Sequence, residues 1–290
     1  MTRTTTARKS MAKKRGGSLG KKLSLTLTYL VVGLFTAAIG YPIIWVVMQS
    51  FKTQMEMFMN AWALPEALIW ANYERALEIS NIITYAGNSV FVSITAVILI
   101  LTLASIASYA FSKLKFAGQN IIYYVFVFSL MLPVPIIPLF SVIVNLGLMN
   151  SHWALIFIYT SGGLPFSIFV LKSFFDGIPK EIEEAAVIDG CPHYKIFVRI
   201  ILPLARPGLA TVTIFQFMAA WNEFFNALIF VRRSDMRTIP IGVQAFFIEF
   251  SSEWPALFAT LTMTIIPVLL VYAVMQKQFV EGLTAGATKL

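Results

Sequence analysis

Long apolar stretches, separated by short polar segments, run along most of this chain. Six of them are long enough to cross a hydrocarbon core of ~30 Å, which takes about 20 helical residues. They cover approximately Leu25–Met48, Asn88–Phe111, Ile121–Val144, Trp153–Phe174, Gly208–Val231 and Pro255–Gln276. They lack the alternation of apolar and polar residues that marks the strands of a membrane β-barrel. The pattern therefore predicts an all-α membrane protein with six transmembrane helices.

The third and fourth stretches adjoin, because no Asp, Glu, Lys or Arg occurs between Lys115 and Lys172. The polar residues 145–152 predict a turn that separates two helices there. Three prolines fall inside the third stretch: Pro133, Pro135 and Pro138. Proline removes a backbone donor and distorts a helix, so we expect the third helix to be bent.

Composition supports the membrane interpretation. Hydrophobic residues make up 58% of the 290 positions and charged residues 12%, about half the roughly 25% of a soluble domain. Such an apolar chain is not intrinsically disordered, and the single Cys191 excludes a disulfide scaffold.

The basic residues indicate an orientation. Eight of the 22 fall in the first 22 positions, with no acid among them. Such an arm can bind nucleic acid, but before an apolar run it more often anchors the cytoplasmic side. The uncharged run from Leu23 to Phe51 is too long for the apolar region of a cleaved signal peptide. With the N-terminus inside, 17 basic residues lie on the inner side and 5 on the outer side, so both termini are predicted to be cytoplasmic.

These boundaries divide the chain into three parts. Residues 1–24 form a basic cytoplasmic arm, residues 25–278 the six-helix transmembrane domain, and residues 279–290 a cytoplasmic tail. Two polar segments, about 51–87 and 232–254, lie outside, and one, about 175–207, lies inside.

The inner segment 175–207 contains start and stop residues typical of two short helices. Pro179 suits the first position of a helix, and Gly190 is a natural stop. Pro192 can start a second helix, which Pro203 ends or bends. Three acids crowd the first turns, where the helix dipole favours negative charge: Glu181, Glu183 and Glu184. The segment therefore predicts a compact helix–turn–helix.

The first of these helices has one distinctive face. Glu184, Ala185 and Ile188 lie together at helical spacing, with Glu181 one turn before them. Small alanines allow another backbone to approach closely, and a glutamate offers a contact for a basic residue. Periodicity alone equally allows an amphipathic hairpin that lies on the bilayer.

The same segment resembles a family signature. Glu184-Ala185-Ala186, three residues, Gly190, nine residues and Ile200-Ile201-Leu202-Pro203 match the Glu-Ala-Ala-x3-Gly-x9-Ile-x-Leu-Pro motif of binding-protein-dependent ABC importer permeases. Trp221-Asn222-Glu223-Phe224, Pro240-Ile241-Gly242 and residues 279–289 are similar to the carbohydrate branch, and within it to the second permease subunit of maltose-type importers. The resemblance covers about residues 25–290.

This resemblance implies a type I ABC importer permease in the bacterial inner membrane. The helix–turn–helix would be the coupling helix that docks on a cytosolic ATPase, with Glu184 against a basic residue. The coupling residues it implies are Glu184, Ala185, Ala186, Asp189, Gly190, Ile200, Leu202 and Pro203. The implied partners are an ABC ATPase dimer that uses ATP and Mg²⁺, a second homologous permease and an external substrate-binding protein. Residues 234–254 would reach into that binding protein, and the tail 279–290 would contact the ATPases.

The fifth stretch carries Glu223, the only carboxylate inside a predicted membrane helix. An ionised group at mid-membrane costs about 3 kcal/mol or more, so it usually faces the bundle interior. Candidate residues for a translocation path are Gln216, Asn222, Glu223 and Asn226. Small and polar residues also hold membrane helices together, so a path and ordinary packing remain equally open.

Catalytic and metal-binding patterns are missing from the sequence. His152 and His193 are predicted on opposite sides of the membrane, and the glycines near Lys21 lack the spacing of a phosphate loop. We therefore expect a transport subunit that is not itself an enzyme, binds no cofactor or metal, and depends on a partner for ATP hydrolysis. A polyol or sugar phosphate remains open as the cargo, and so, less favourably, does an ion-coupled transporter that uses Glu223.

Overall fold

The structure, a computed structural model, describes residues 17–249 and 253–287. Within those ranges it is helical and contains no strand. The helices are α1 Gly17–Gln49, α2 Gln54–Met59, α3 Ala71–Ile79, α4 Ile82–Lys113, α5 Gln119–Ser129, α6 Ile136–Asn145, α7 His152–Asp176, α8 Lys180–Ile188, α9 His193–Ile196, α10 Leu202–Leu204, α11 Arg206–Trp221, α12 Phe225–Phe230, α13 Ile239–Glu249 and α14 Trp254–Ala287. A π-helical turn, Phe197–Ile201, joins α9 to α10, and a 3₁₀ turn, Ser234–Met236, precedes α13. The all-α prediction is confirmed.

Four of the described helices are long and apolar enough to cross a membrane. They are Ser24–Gln49 within α1, α4, α7 and Trp254–Val274 within α14. A fifth candidate is the helical pair His193–Leu204 and Arg206–Trp221, which is bent by 75°. The structure thus has four or five candidate spans, whereas the sequence pattern predicted six unbroken helices.

The third predicted span is broken. It consists of α5 and α6, and residues 130–135 between them are not helical. Pro133 and Pro135 lie in this gap, while Pro138 lies in the first turn of α6, where a missing N–H costs no helical hydrogen bond. The expectation of one bent helix was therefore wrong, because two prolines two residues apart remove too many backbone bonds to be absorbed as a bend.

The fifth and sixth predicted spans also differ from the observed helices. The predicted helix Gly208–Val231 was wrong as a single element, because α11 ends at Trp221 and α12 begins at Phe225. The last predicted span continues as helix α14 through Ala287, so part of the predicted tail extends it. Most of the predicted basic arm, residues 1–16, lies outside the described residues.

The core is a bundle of α4, α7, α11 and α14, in which α4 and α7 make the most extensive pair. Small residues allow this pair to approach closely, as in many membrane helix interfaces. Ser108 of α4 donates a hydrogen bond of 3.1 Å to the Ile168 carbonyl of α7. At Gly163 of α7, a Cβ atom would lie 2.7 Å from the Ile100 side chain of α4. A larger residue at Gly163 would therefore require the side chains of Ile100 and Gln216 to move.

Helix α1 is different, because it packs against α14 and leaves most of its surface uncovered. Every side chain from Ser24 to Ile39 is exposed in the isolated chain. An apolar helix of this kind is stable only where lipid or another membrane subunit covers it.

The segment before the last helix is largely folded. Helix α13 packs against α4 and α14, with Ile239, Ile241 and Phe246 buried. Residues 250–252, at the end of the predicted binding-protein loop, lie outside the described residues.

Candidate coupling and pathway sites

The segment 180–204 is a compact helix–turn–helix, as the positions of its prolines and glycine predicted. Helix α8 begins at Lys180, with Pro179 one residue before the helix and not at its first position. Gly190 has φ +74°, a left-handed conformation that side chains with a Cβ rarely adopt. The Cys191 N–H donates to the Ala186 carbonyl and the Gly190 N–H to the Val187 carbonyl, both at 2.9 Å. These two bonds satisfy carbonyls that the end of α8 would otherwise leave open.

The second half of this element continues further than the sequence indicated. Helix α9, the π-helical turn and α10 run on to Leu204, so Pro203 does not end the segment. The π-turn is visible in the Leu202 N–H, which donates to the Phe197 carbonyl five residues earlier. The 75° bend follows at Ala205, immediately before α11. The bend thus lies two residues after Pro203.

The predicted coupling residues divide into an outer face and a base. Glu184, Ala185, Asp189, Gly190 and Pro203 are exposed. Ala186 is buried, and Ile200 and Leu202 are half-buried. Large apolar side chains extend the outer face: Ile188 is 85% exposed, with Tyr194, Val198 and Val187 also open. The element therefore presents an apolar surface that also carries exposed carboxylates, those of Glu181, Glu184 and Asp189, in the isolated chain.

An ion pair that the sequence analysis missed fixes this element to the bundle. Lys113 at the end of α4 lies 3.2 Å from the Glu183 carboxylate of α8, and their side chains are only 3% and 17% exposed. The Lys113 ammonium also donates to the Ile178 carbonyl at 2.9 Å. Removing one partner of such a buried pair typically costs about 3–5 kcal/mol. The pair therefore holds the base of α8 against α4 and leaves Glu184 free.

Three of the candidate pathway residues line a cleft of about 240 Å³ between α4, α6, α7 and α11. Its lining is mostly apolar. The polar side chains that reach it are Tyr159, Ser161, Gln216, Glu223 and Asn226. Three of the four predicted residues are thus brought together, and Asn222 is not. Asn222 is exposed and donates to the Met218 carbonyl of its own helix at 2.9 Å.

Glu223 lies in the break between α11 and α12, not inside a helix as the sequence pattern predicted. One carboxylate oxygen accepts hydrogen bonds from the backbone N–H of Asn226 at 2.7 Å and from its side-chain amide at 2.9 Å. The other accepts from the Tyr159 hydroxyl at 2.7 Å and the Ala227 N–H at 3.1 Å. Four donors of the chain itself therefore occupy this carboxylate, which caps α12 and ties it to α7.

Gln216 has a packing role in the structure. Its amide donates to the Gly163 carbonyl at 3.2 Å and to the Ser167 hydroxyl at 3.1 Å, and the residue is 8% exposed. It thus joins α11 to α7 at the base of the cleft. Tyr159 was not predicted, because a tyrosine in an apolar stretch has no local signal that points to a distant carboxylate.

Comparison with known proteins identifies the family. Residues 100–284 match the family model described as "Binding-protein-dependent transport system inner membrane component". The chain is 36% identical to the "Probable ABC transporter permease protein YurM" of Bacillus subtilis, over 91% of this chain and 88% of that protein. It is 35% identical to the "Diacetylchitobiose uptake system permease protein NgcG" of Streptomyces coelicolor, over 90% of this chain and 87% of that protein.

A third relative and a solved structure extend the comparison. The "Arabinooligosaccharides transport system permease protein AraQ" of Halalkalibacterium halodurans is 34% identical, over 93% of this chain and 99% of that protein. The fold matches a chain from the crystal structure of a bacterial ABC transporter involved in the import of the polysaccharide alginate. That match has a TM-score of 0.82 and 24% sequence identity, and it covers 90% of this chain and 98% of the other. The chain therefore belongs to the family of inner membrane components of binding-protein-dependent transport systems, the permease subunits of ABC importers.

Proposed function

We propose that this permease subunit translocates a carbohydrate, most simply an oligosaccharide, that an external binding protein delivers. Relatives that match nearly the whole chain carry names for diacetylchitobiose and arabinooligosaccharide uptake. An ion-coupled mechanism through Glu223 is not favoured, because its carboxylate already accepts four hydrogen bonds from the chain.

The observation that carries the mechanism is the position of the signature residues on an exposed helix–turn–helix. We propose that a separate ATPase, which uses ATP and Mg²⁺, docks on Glu184, Ala185 and Ile188. Their exposure in the isolated chain supports this, since large open apolar surfaces with a polar component are typical of protein contacts. Because the Lys113–Glu183 pair joins this element to α4, movement of the docked ATPase would be passed to the bundle.

The cleft is proposed as half of the translocation path. Its volume of about 240 Å³ is below the roughly 300–1,000 Å³ of typical ligand pockets. A second, similar permease subunit would complete it. In this proposal Glu223 shapes the path by capping α12, and Asn226 and Ser161 offer polar groups to sugar hydroxyls.

The topology proposal keeps six crossings, with α5–α6 and α11–α12 as broken spans and both termini in the cytoplasm. We expect cysteines in place of Lys115 and Ser234, both exposed, to react with impermeant reagents from opposite sides. Cys191 would first be replaced by serine to give a silent background. Labelling of both sites from the outside of intact cells would contradict this arrangement.

The function itself is tested by purification and uptake. We expect an ATPase and a second permease to co-purify with the tagged chain, and an oligosaccharide to stimulate ATP hydrolysis once the binding protein is added. A panel of oligosaccharides, polyols and sugar phosphates distinguishes the cargo classes. Stimulation by a polyol or sugar phosphate alone would replace the oligosaccharide proposal, and uptake that follows an ion gradient without ATP would refute the importer.

A further inference from the structure

The segment that follows α1, residues 54–70, has an unusual surface. Seven large apolar side chains there are each 60–75% exposed: Met55, Phe58, Met59, Trp62, Leu64, Leu68 and Trp70. These residues are concentrated in helix α2 and the turn that follows it. A concentration of exposed apolar side chains of this kind marks a protein contact or a membrane contact.

Two buried polar side chains and one carboxylate hold this segment in place. Lys52 is fully buried, and its ammonium donates to the Asn60 carbonyl at 2.9 Å. Gln49, also buried, donates to the Ala61 carbonyl. The Glu56 carboxylate accepts the Glu66 N–H at 2.8 Å. The segment thus rests on the buried side chains of Lys52 and Gln49, while its outer surface combines the seven large apolar side chains with a few polar ones: Gln54, Asn60 and Glu66.

The segment also folds back along the uncovered surface of α1. The ring of Trp62 stacks on Tyr41, with centroids 6.0 Å apart, and lies 5.9 Å from the ring of Trp45. The Trp45 indole N–H donates to the Ala61 carbonyl at 2.9 Å. Tyr41 lies eight residues before the end of α1, which is about 12 Å along the helix axis. Trp62 therefore packs beside α1 about two helical turns before the C-terminal end of that membrane-spanning helix.

We propose that residues 54–70 lie in the interface of the bilayer leaflet at the C-terminal end of α1, with their apolar side chains directed toward the acyl chains. Tryptophan concentrates at this depth, and amphipathic segments bury their apolar face about 5–10 Å into the boundary. The occupant is lipid because the surface is continuous with the exposed face of α1, which is itself a membrane span. This proposal is independent of the cargo and of the ATPase.

Site-directed spin labelling tests the proposal. In the Cys191→Ser background, Phe58→Cys and Leu68→Cys would be labelled separately in the full chain, purified with its bound subunits in phosphatidylethanolamine–phosphatidylglycerol nanodiscs. Power saturation is expected to give high accessibility to oxygen and low accessibility to a water-soluble nickel chelate at both positions. Phe35→Cys, in the exposed part of α1, serves as the lipid control, and Glu78→Cys, on α3 with a 69% exposed side chain, as the water control.

Three results would overturn the proposal. Free access of the nickel chelate at both positions would place the segment in water. Access that disappears only when the binding protein is added would make it a docking surface for that protein. Exclusion of both reagents would assign it to the second permease. As a second measurement on nearly native protein, brominated lipids should quench tryptophan fluorescence less in Trp62→Phe than in the parent chain, and equal quenching would also count against the proposal.

Discussion

Gly190→Val is expected to abolish uptake while the protein remains inserted in the membrane. The residue sits at φ +74°, where a side chain costs about 1–2 kcal/mol and a β-branched one is most strained. No atom lies within 4 Å of the Cβ position, so the chain itself has room for the new side chain. The strain alone shifts the turn equilibrium roughly 5–30-fold. The added bulk also points into the space where the ATPase is proposed to dock, so we expect at least a tenfold loss of ATPase binding.

A matched variant separates the docking effect from backbone strain. Gly147 has φ +68° and is equally open, but it lies in the turn between α6 and α7. Gly147→Val should therefore carry the same strain and keep the ATPase bound. Gly190→Asn should be milder than Gly190→Val, because asparagine tolerates the left-handed region. Co-purification of the ATPase and stimulated ATP hydrolysis in proteoliposomes are the measurements.

Charge reversal at Glu184 tests the proposed contact with the ATPase through a side chain and not through the backbone. If Glu184 makes a charge-assisted bond to the ATPase, the bond contributes about 1.5–3 kcal/mol, so Glu184→Lys should weaken the complex by roughly tenfold or more. The ATPase affinity of Glu184→Gln should lie between that of the parent chain and that of Glu184→Lys. An acidic replacement of the facing basic residue on the ATPase should restore part of the activity of Glu184→Lys. Normal uptake in both Gly190→Val and Glu184→Lys would show that this element does not couple the ATPase to the bundle.

Glu223→Leu is expected to destabilise the protein and to lower the transport rate of every substrate. The change leaves the Tyr159 hydroxyl and the N–H groups of Asn226 and Ala227 without their acceptor. Each unpaired buried donor costs about 1–3 kcal/mol. Water in the cleft can satisfy part of this loss, so we expect a total of about 2–4 kcal/mol. Thermal unfolding of the purified complex and initial uptake rates measure the two effects.

The neighbouring Asn222 provides the control. Asn222→Leu removes only an exposed bond to its own helix, so its effect should be within about 0.5 kcal/mol. Tyr159→Phe should reproduce a smaller part of the Glu223→Leu loss, because it removes one of the four donors. A capping role predicts a lower maximum rate with an unchanged KM. A changed KM or altered substrate preference at full stability would instead make Glu223 a ligand for the cargo.

Local chemistry explains what the sequence predicted well. The fourth span was predicted as Trp153–Phe174 and is His152–Asp176, because a long apolar run bounded by polar residues leaves few alternatives in a membrane. The stop at Gly190 was predicted for a similar reason, since the left-handed turn needs a residue without a Cβ. The shared face of Glu184, Ala185 and Ile188 followed from helical spacing, and the structure leaves that face exposed. Each of these features depends on residues within a few positions of one another.

The tertiary structure alone decided the remaining features. No proline or glycine marks the helix break after Trp221 in the sequence. The break is stabilised by Glu223, whose carboxylate accepts hydrogen bonds from N–H groups of α12 and from the hydroxyl of Tyr159, 64 residues away. Lys113 and Glu183 form an ion pair although they are 70 residues apart in the sequence. The buried ammonium of Lys52 donates to backbone carbonyls and has no carboxylate partner in the described part of the chain. In a low-dielectric interior a polar group must be paired, but many partners can satisfy that requirement. The sequence therefore determined which groups needed partners, and the packing of distant helices determined which partners they received.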